Sequence, residues 1–394
     1  MDGRIDEVIS RRTVFCLGLA QLISWGISYY LVGAFGERIG RELGWSQAII
    51  HGGLSAGLLV MGLTSGAVGR LIDRHGGRLV MCAGSLLTAA GCIGLAGAQT
   101  IVAYYAAWLC LGLAMRLTLY DAAFAALARI GGSAARRPIA QITLLGGLAS
   151  TVFWPLGHAL AEQFGWRGAL LAYAGFALLT LPLHLTLPAV EARPAPGAAA
   201  AKPVAALNPA DTRFAGLLYA LIVTFAGILN AGMSAHMIGI LAGLGLPAAV
   251  AVWIGATRGI GQSLARLGEV LFGARTSPFD LNLAACLVLP LCFAVGLAGG
   301  ASAVAALAFA FFYGAGNGVL TITRGTLPLM LFDPATYGAY VGRLLAPGFF
   351  LSAGAPLAYA LLIERHGAGA ALVLSGTLAS LMLIATIVLK RRFG

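Results

Sequence analysis

The sequence predicts an all-α integral membrane protein: twelve transmembrane helices in two six-helix bundles, with both termini cytoplasmic. Composition carries the first part of that reading. Of 394 residues, 59% are hydrophobic and only 10% charged, against about 25% charged in soluble chains. Length carries the second, because at about 20 apolar residues per span plus short loops the chain holds twelve helices and leaves almost nothing for a soluble domain. Charge placement is the third. The net charge of +11 sits in short basic clusters between apolar runs, a pattern of topology signals and not of nucleic-acid binding. A soluble enzyme is excluded.

Apolar runs broken by Gly, Pro and charge clusters place helices at 13–36, 47–69, 79–98, 102–128, 138–161 and 168–188, then at 213–242, 247–274, 280–298, 302–330, 338–363 and 369–389. With the N-terminus inside, 16 of the 25 Lys and Arg fall in cytoplasmic segments, among them Arg11, Arg12, Arg70, Arg74, Arg78, Arg136, Arg137 and Lys390 to Arg392. Four fall outside, at Arg38, Arg41, Arg167 and Arg365, and five fall within helices. That 16 to 4 loop asymmetry satisfies the positive-inside rule. The opening MDGRIDEVISRR leads into a long apolar run without a small-residue cleavage site, which reads as the first helix and not a removed signal peptide. All six cysteines fall inside apolar helices with no CxxC pair, which argues against a disulfide framework or a zinc site.

Residues 189–212 are rich in Ala and Pro and lack periodicity, the mark of a flexible cytoplasmic linker. It separates an N-terminal bundle, 1–188, from a C-terminal bundle, 213–394. The halves repeat: Arg12 and Arg213, Leu43-Gly44 and Leu244-Gly245, and Pro155 and Pro356 are each 201 residues apart. Six helices per half give repeats of the same orientation, an architecture that brackets a midplane site and works by alternating access.

Between the second and third helices stands Gly69-Arg70-Leu71-Ile72-Asp73-Arg74-His75-Gly76-Gly77-Arg78. It resembles the signature GxxxDRxGRR of the major facilitator superfamily, and with twelve helices and a central loop the resemblance covers the whole chain. The resemblance implies a conformational latch formed by Gly69, Asp73, Arg74, Gly76 and Arg78, which holds the outward-facing state. Glycines permit the tight turn, and Asp73 offers a carboxylate to a neighbouring helix N-terminus or to Arg78. Gly77 departs from the pattern in place of a basic residue. Pro155-Leu156-Gly157 resembles the antiporter signature only in part, because Trp154 stands where that pattern has glycine. Trp25-Gly26-Ile27-Ser28-Tyr29-Tyr30 and Gln262-Ser263-Leu264-Ala265-Arg266 resemble the monocarboxylate-transporter-like branch, which implies that Arg266 pairs with a substrate carboxylate.

Charged groups inside hydrocarbon cost at least ~2.5 kcal/mol on insertion scales, so they are functional candidates by default. Arg324 and Arg343 lie near cytoplasmic helix ends, where snorkelling or latching explains them. Arg116, Arg258 and Arg266 lie deeper and are candidate anion contacts, with structural pairing to Asp121 or Glu269 as the competing reading. Tyr29, Tyr30 and Asn317 are further substrate-binding candidates. Asp121 and Glu269 are the proton-coupling candidates, because a carboxylate beside an arginine changes protonation when its partner is taken over. His236 is next.

Two motifs mislead. Gly53-Leu54-Ser55-Ala56-Gly57 matches GxSxG but lies in a glycine-rich helix, where small residues permit close packing. Met233, His236 and Met237 suit a copper site, yet residues 247–274 hold neither His nor Met to complete one, so no metal and no cofactor is expected. The expected function is a monomeric, proton-coupled secondary transporter of a small organic anion such as a monocarboxylate, in a bacterial inner membrane, with the lipid bilayer and protons as its other partners. The alternatives are a proton-antiporting exporter of amphipathic drugs or metabolites, a copper importer, and an intramembrane hydrolase or sensor.

Overall fold

A computed structural model describes residues 9–189 and 208–394. The opening residues 1–8 and positions 190–207 of the expected linker lie outside the described residues. In order, the α-helices are α1 (Arg11–Ser24), α2 (Leu31–Leu43), α3 (Gln47–His75), α4 (Gly77–Ala96), α5 (Ile101–Thr118), α6 (Tyr120–Gly131), α7 (Arg136–Gly146), α8 (Ala149–His184), α9 (Pro209–Gly243), α10 (Ala248–Phe272), α11 (Pro278–Leu297), α12 (Ala303–Thr326), α13 (Pro328–Leu331), α14 (Tyr337–His366) and α15 (Ala368–Phe393). Starts are set by side-chain caps: Ser10, Ser46, Thr100, Asn208, Ser277 and Ser302 each accept the backbone N–H three residues on.

Among the described residues, nine helical runs are long and apolar enough to cross a membrane, one of them the 84-residue run Ile101–His184. Large apolar side chains such as Leu63, Val102, Trp253 and Val304 are exposed, the outward face that lipid requires and water would penalise. The chain is a multi-pass membrane protein. Helix α10, which carries Arg258, Arg266 and Glu269, is not among the nine.

Two compact units form. The first holds the described residues through 189 together with Phe332–Ala346; the second holds 208–331 and Pro347–Gly394. The start of α14 thus packs with the first unit. The 201-residue repeat reappears in the backbone: Gly44 and Gly245 both take positive φ (68° and 107°) where α2 and α9 end.

Four expected spans are interrupted: 302–330 breaks at Leu327 between α12 and α13, and the other three lie in the first unit. The 13–36 helix passes through a π-helical turn at Trp25–Tyr29, 102–128 breaks at extended Leu119 between α5 and α6, and 138–161 breaks at Gly147–Leu148 between α7 and α8. The expected loop at 162–167 narrows to one residue, Gly165, whose φ of 68° and ψ of 167° suit glycine alone. The GxSxG glycines serve packing: a Cβ at Gly53 would lie 2.3 Å from the Trp108 ring, and one at Gly112 would lie 2.5 Å from the Gly57 carbonyl oxygen. So α3 and α5 meet backbone to backbone.

Candidate functional site

In the first unit the interruptions meet in an aromatic cluster. Trp25, in the π-turn, lies 5.0 Å from Tyr29, 6.1 Å from Tyr30 and 4.9 Å from Tyr120, which follows the Leu119 break. Tyr30 meets Trp154 at 6.0 Å, and Tyr120 stacks on Phe124 at 5.5 Å. Phe153, just past the α7–α8 break, presses on Gly26, where a Cβ would lie 2.2 Å from its ring. Helix irregularities of this kind recur at functional sites, since they turn side chains out of the regular ladder. Fully buried Gln21 donates to the Thr118 carbonyl at 2.7 Å, beside the Leu119 break. Its Oε1, like the Trp25 indole N–H, has no hydrogen-bond partner among the described residues. Asp121 stands half-buried in the first turn of α6. Broad apolar faces with few polar anchors suit amphipathic, ring-bearing compounds.

The signature loop is built around Asp73. Its Oδ1 accepts the Gly338 N–H at 2.9 Å and its Oδ2 the Ala339 N–H at 2.6 Å. Both donors lie in the first turn of α14, so the carboxylate caps another helix; of the two partners the sequence left open, this geometry has the helix N-terminus. Arg129 donates to the Asp73 backbone carbonyl. A Cβ at Gly69 would lie 1.8 Å from the Gly338 carbonyl oxygen, and one at Gly342 would lie 2.6 Å from that of Ser65. These glycines let α3 and α14 touch. Gly76 joins α3 to α4 with φ 79° and ψ 164°; Arg74 is exposed and Arg78 half-buried. Gly77, the departure from the signature, has its Cβ position 2.2 Å from the Ala126 Cβ, so a basic side chain has no room here.

Arg116 is 2% exposed and bonds Ser65 through Nε at 3.0 Å (to Oγ) and Nη2 at 3.1 Å (to the carbonyl). It braces α5 against α3 beside Gly342.

In the second unit, Arg258 donates through Nη2 to Asn230 Oδ1 at 2.8 Å and Ser234 Oγ at 3.0 Å, with its guanidinium carbon 5.2 Å from the Tyr313 ring centroid. Asn317 donates to the same Asn230 oxygen at 3.2 Å. Arg266 is 3% exposed; its Nη2 reaches Thr321 Oγ1 at 3.3 Å, and its Nε has no hydrogen-bond partner among the described residues. Buried Glu269 folds back on Gly273 at the end of α10. His236 shares a 2.8 Å hydrogen bond between Nε2 and the Pro356 carbonyl and stacks on Tyr359. Met233 and Met237 are buried. Arg324 lies over Phe349 and Arg343 over Tyr340.

The structure therefore brings Tyr29 and Tyr30 together in one unit and Arg258 with Asn317 in the other. Sequence reasoning missed Ser65, Ser234, Thr321 and the Gly338-Ala339 pair, which no local pattern marks.

The family model described as Major Facilitator Superfamily matches residues 17–344. "Multidrug resistance protein MdtL" of Shigella flexneri serotype 5b is 32% identical over 200 residues, 50% of this chain and 49% of that one, and the Escherichia coli K12 protein of that name matches equally. The match thus spans about half the length of these curated relatives. Two solved structures share the fold: the human organic anion transporter MFSD10 (TM-score 0.72, 18% identity, covering 96% of this chain and 99% of that one) and the proton:xylose symporter XylE (TM-score 0.76, 12% identity, covering 95% and 94%).

Proposed function

The chain belongs to the major facilitator superfamily, which makes it a transporter and not an enzyme, and from that premise we propose that it exports amphipathic small molecules in exchange for protons. Twelve membrane helices in two bundles, cytoplasmic termini and a place in a bacterial inner membrane complete this reading, with alternating access as its mechanism. The aromatic cluster at the first unit's three helix interruptions carries it: Trp25, Tyr29, Tyr30, Tyr120 and Trp154 offer ring faces in place of the dense hydrogen-bond network a sugar requires. The half-chain likeness to multidrug resistance proteins supports the same direction. Trp154, which breaks the antiporter signature, adds a ring to the cluster. Among the proton candidates Asp121 is favoured over Glu269 and His236, because it opens a broken helix next to Tyr120.

The test is uptake of an uncharged fluorescent naphthylamine into energised inverted membrane vesicles, whose cytoplasmic face is outward. Accumulation is expected to require the proton gradient, and Trp25→Ala to weaken affinity about 2- to 10-fold, the worth of one aromatic contact of roughly 0.5–1.5 kcal/mol. Accumulation indifferent to a protonophore would overturn the proposal.

A further inference from the structure

The second unit holds two guanidinium groups on one face of α10 that hydrogen-bond only to neutral partners. Arg258, Gln262 and Arg266 recur every four residues, so they form one stripe, and the two arginines stand eight residues or about 12 Å apart. Neither makes an ion pair among the described residues. Their partners are neutral: Asn230, Ser234 and the Tyr313 ring for Arg258, and Thr321 for Arg266. Of the second unit's four described carboxylates, Asp211 pairs with Arg392 and Asp280 with Lys390, Glu364 is exposed near the end of α14, and Glu269 folds on Gly273 at the helix end. The stripe is rigidly mounted. Cβ positions at Gly261, Gly314 and Gly318 would lie 2.1, 2.0 and 2.7 Å from the carbonyl oxygens of Phe311, Arg258 and Gln262, so α10 and α12 lie in backbone contact.

Resting on the transporter reading above, we infer that this seam is an anion subsite and that the cargo is an amphipathic compound bearing a carboxylate or similar acid, which Arg258 contacts. Arg258 is half-buried and spends only its Nη2 on the protein; Nε and Nη1 make no hydrogen bond among the described residues and are not sealed from solvent. Asn230, whose one oxygen accepts from both Arg258 and Asn317, fixes the guanidinium plane. Those remaining N–H groups meet an acid oxygen with charge-assisted bonds. Arg266, nearly fully buried with its Nε unpartnered, places a second guanidinium deeper in the seam. A cation would meet the like charge of Arg258 there.

The experiment compares 1-naphthoate with its neutral isostere 1-naphthamide and its cationic analogue 1-naphthylmethylammonium, binding to the purified full-length chain by calorimetry. Naphthoate is expected to bind at least about tenfold more tightly than the amide, and the cation most weakly. Arg258→Gln should erase the carboxylate preference, and Arg258→Lys should keep part of it, because charge survives while the planar fork does not. Melting temperature checks that each variant folds. Equal binding of the three probes, no naphthoate binding, or a preference that survives Arg258→Gln overturns the inference. Proteoliposomes separate this from the transport proposal: uphill movement of the cation or the amide without any preference for naphthoate defeats the anion subsite alone, and naphthoate binding without transport of any probe defeats the exporter alone.

Discussion

Neutralising Asp73 should loosen the start of α14. The native carboxylate receives two backbone N–H bonds, at 2.9 and 2.6 Å, from the first turn of that helix. A hydrogen bond to a charged group contributes roughly 1.5–3 kcal/mol, and a negative charge at a helix N-terminus about 0.3–1 kcal/mol. Asn retains one acceptor oxygen and loses the charge, and Asp73 is half-buried, so solvent screening trims the loss to about 1–3 kcal/mol. That corresponds to a roughly 5- to 150-fold shift of the contact towards its open form. Hydrogen exchange across peptide 334–345 reads it directly, because the Gly338 and Ala339 amides are the donors. Exchange there should accelerate in Asp73→Asn and further in Asp73→Ala, which removes both acceptors, with export slowed and folding retained. An Asp73→Ala protein whose amides exchange at the wild-type rate would refute the capping role.

Asp121→Asn is expected to leave cargo exchange across proteoliposome membranes intact and to abolish uphill accumulation; a variant that still concentrates cargo moves proton coupling to Glu269 or His236. Gly77→Arg, which restores the basic residue of the family signature, should destabilise by about 1–3 kcal/mol through overpacking against Ala126 and lower the melting temperature in detergent; an unchanged melting temperature would show that α4 and α6 can part there.

The membrane class was legible because apolar runs report the bilayer itself, and the signature was legible because its glycines and Asp73 are adjacent in sequence. The partners of Asp73 were not, for Gly338 lies 265 residues away in an ordinary apolar helix. No proline marks the interruptions at Trp25–Tyr29 and Leu119, so a reading of apolar runs passes through them. A short branch resemblance implies Arg266 as the anion contact; burial and Thr321 set it deeper than Arg258, whose partners on α9 no spacing along α10 discloses. Trp154 makes the antiporter resemblance partial, whereas its ring contact with Tyr30 gives it a place among the aromatics.

Cargo-driven proton movement tests the central claim most directly. Proteoliposomes loaded with a trapped pH-sensitive dye receive naphthyl cargo outside, with protein-free vesicles subtracted. Exchange of cargo for protons predicts that the lumen turns alkaline as cargo enters, and that Asp121→Asn abolishes the signal. A lumen that acidifies with cargo entry would mean that cargo and protons travel together, and a lumen that does not change would mean that no proton is coupled; either result contradicts the account.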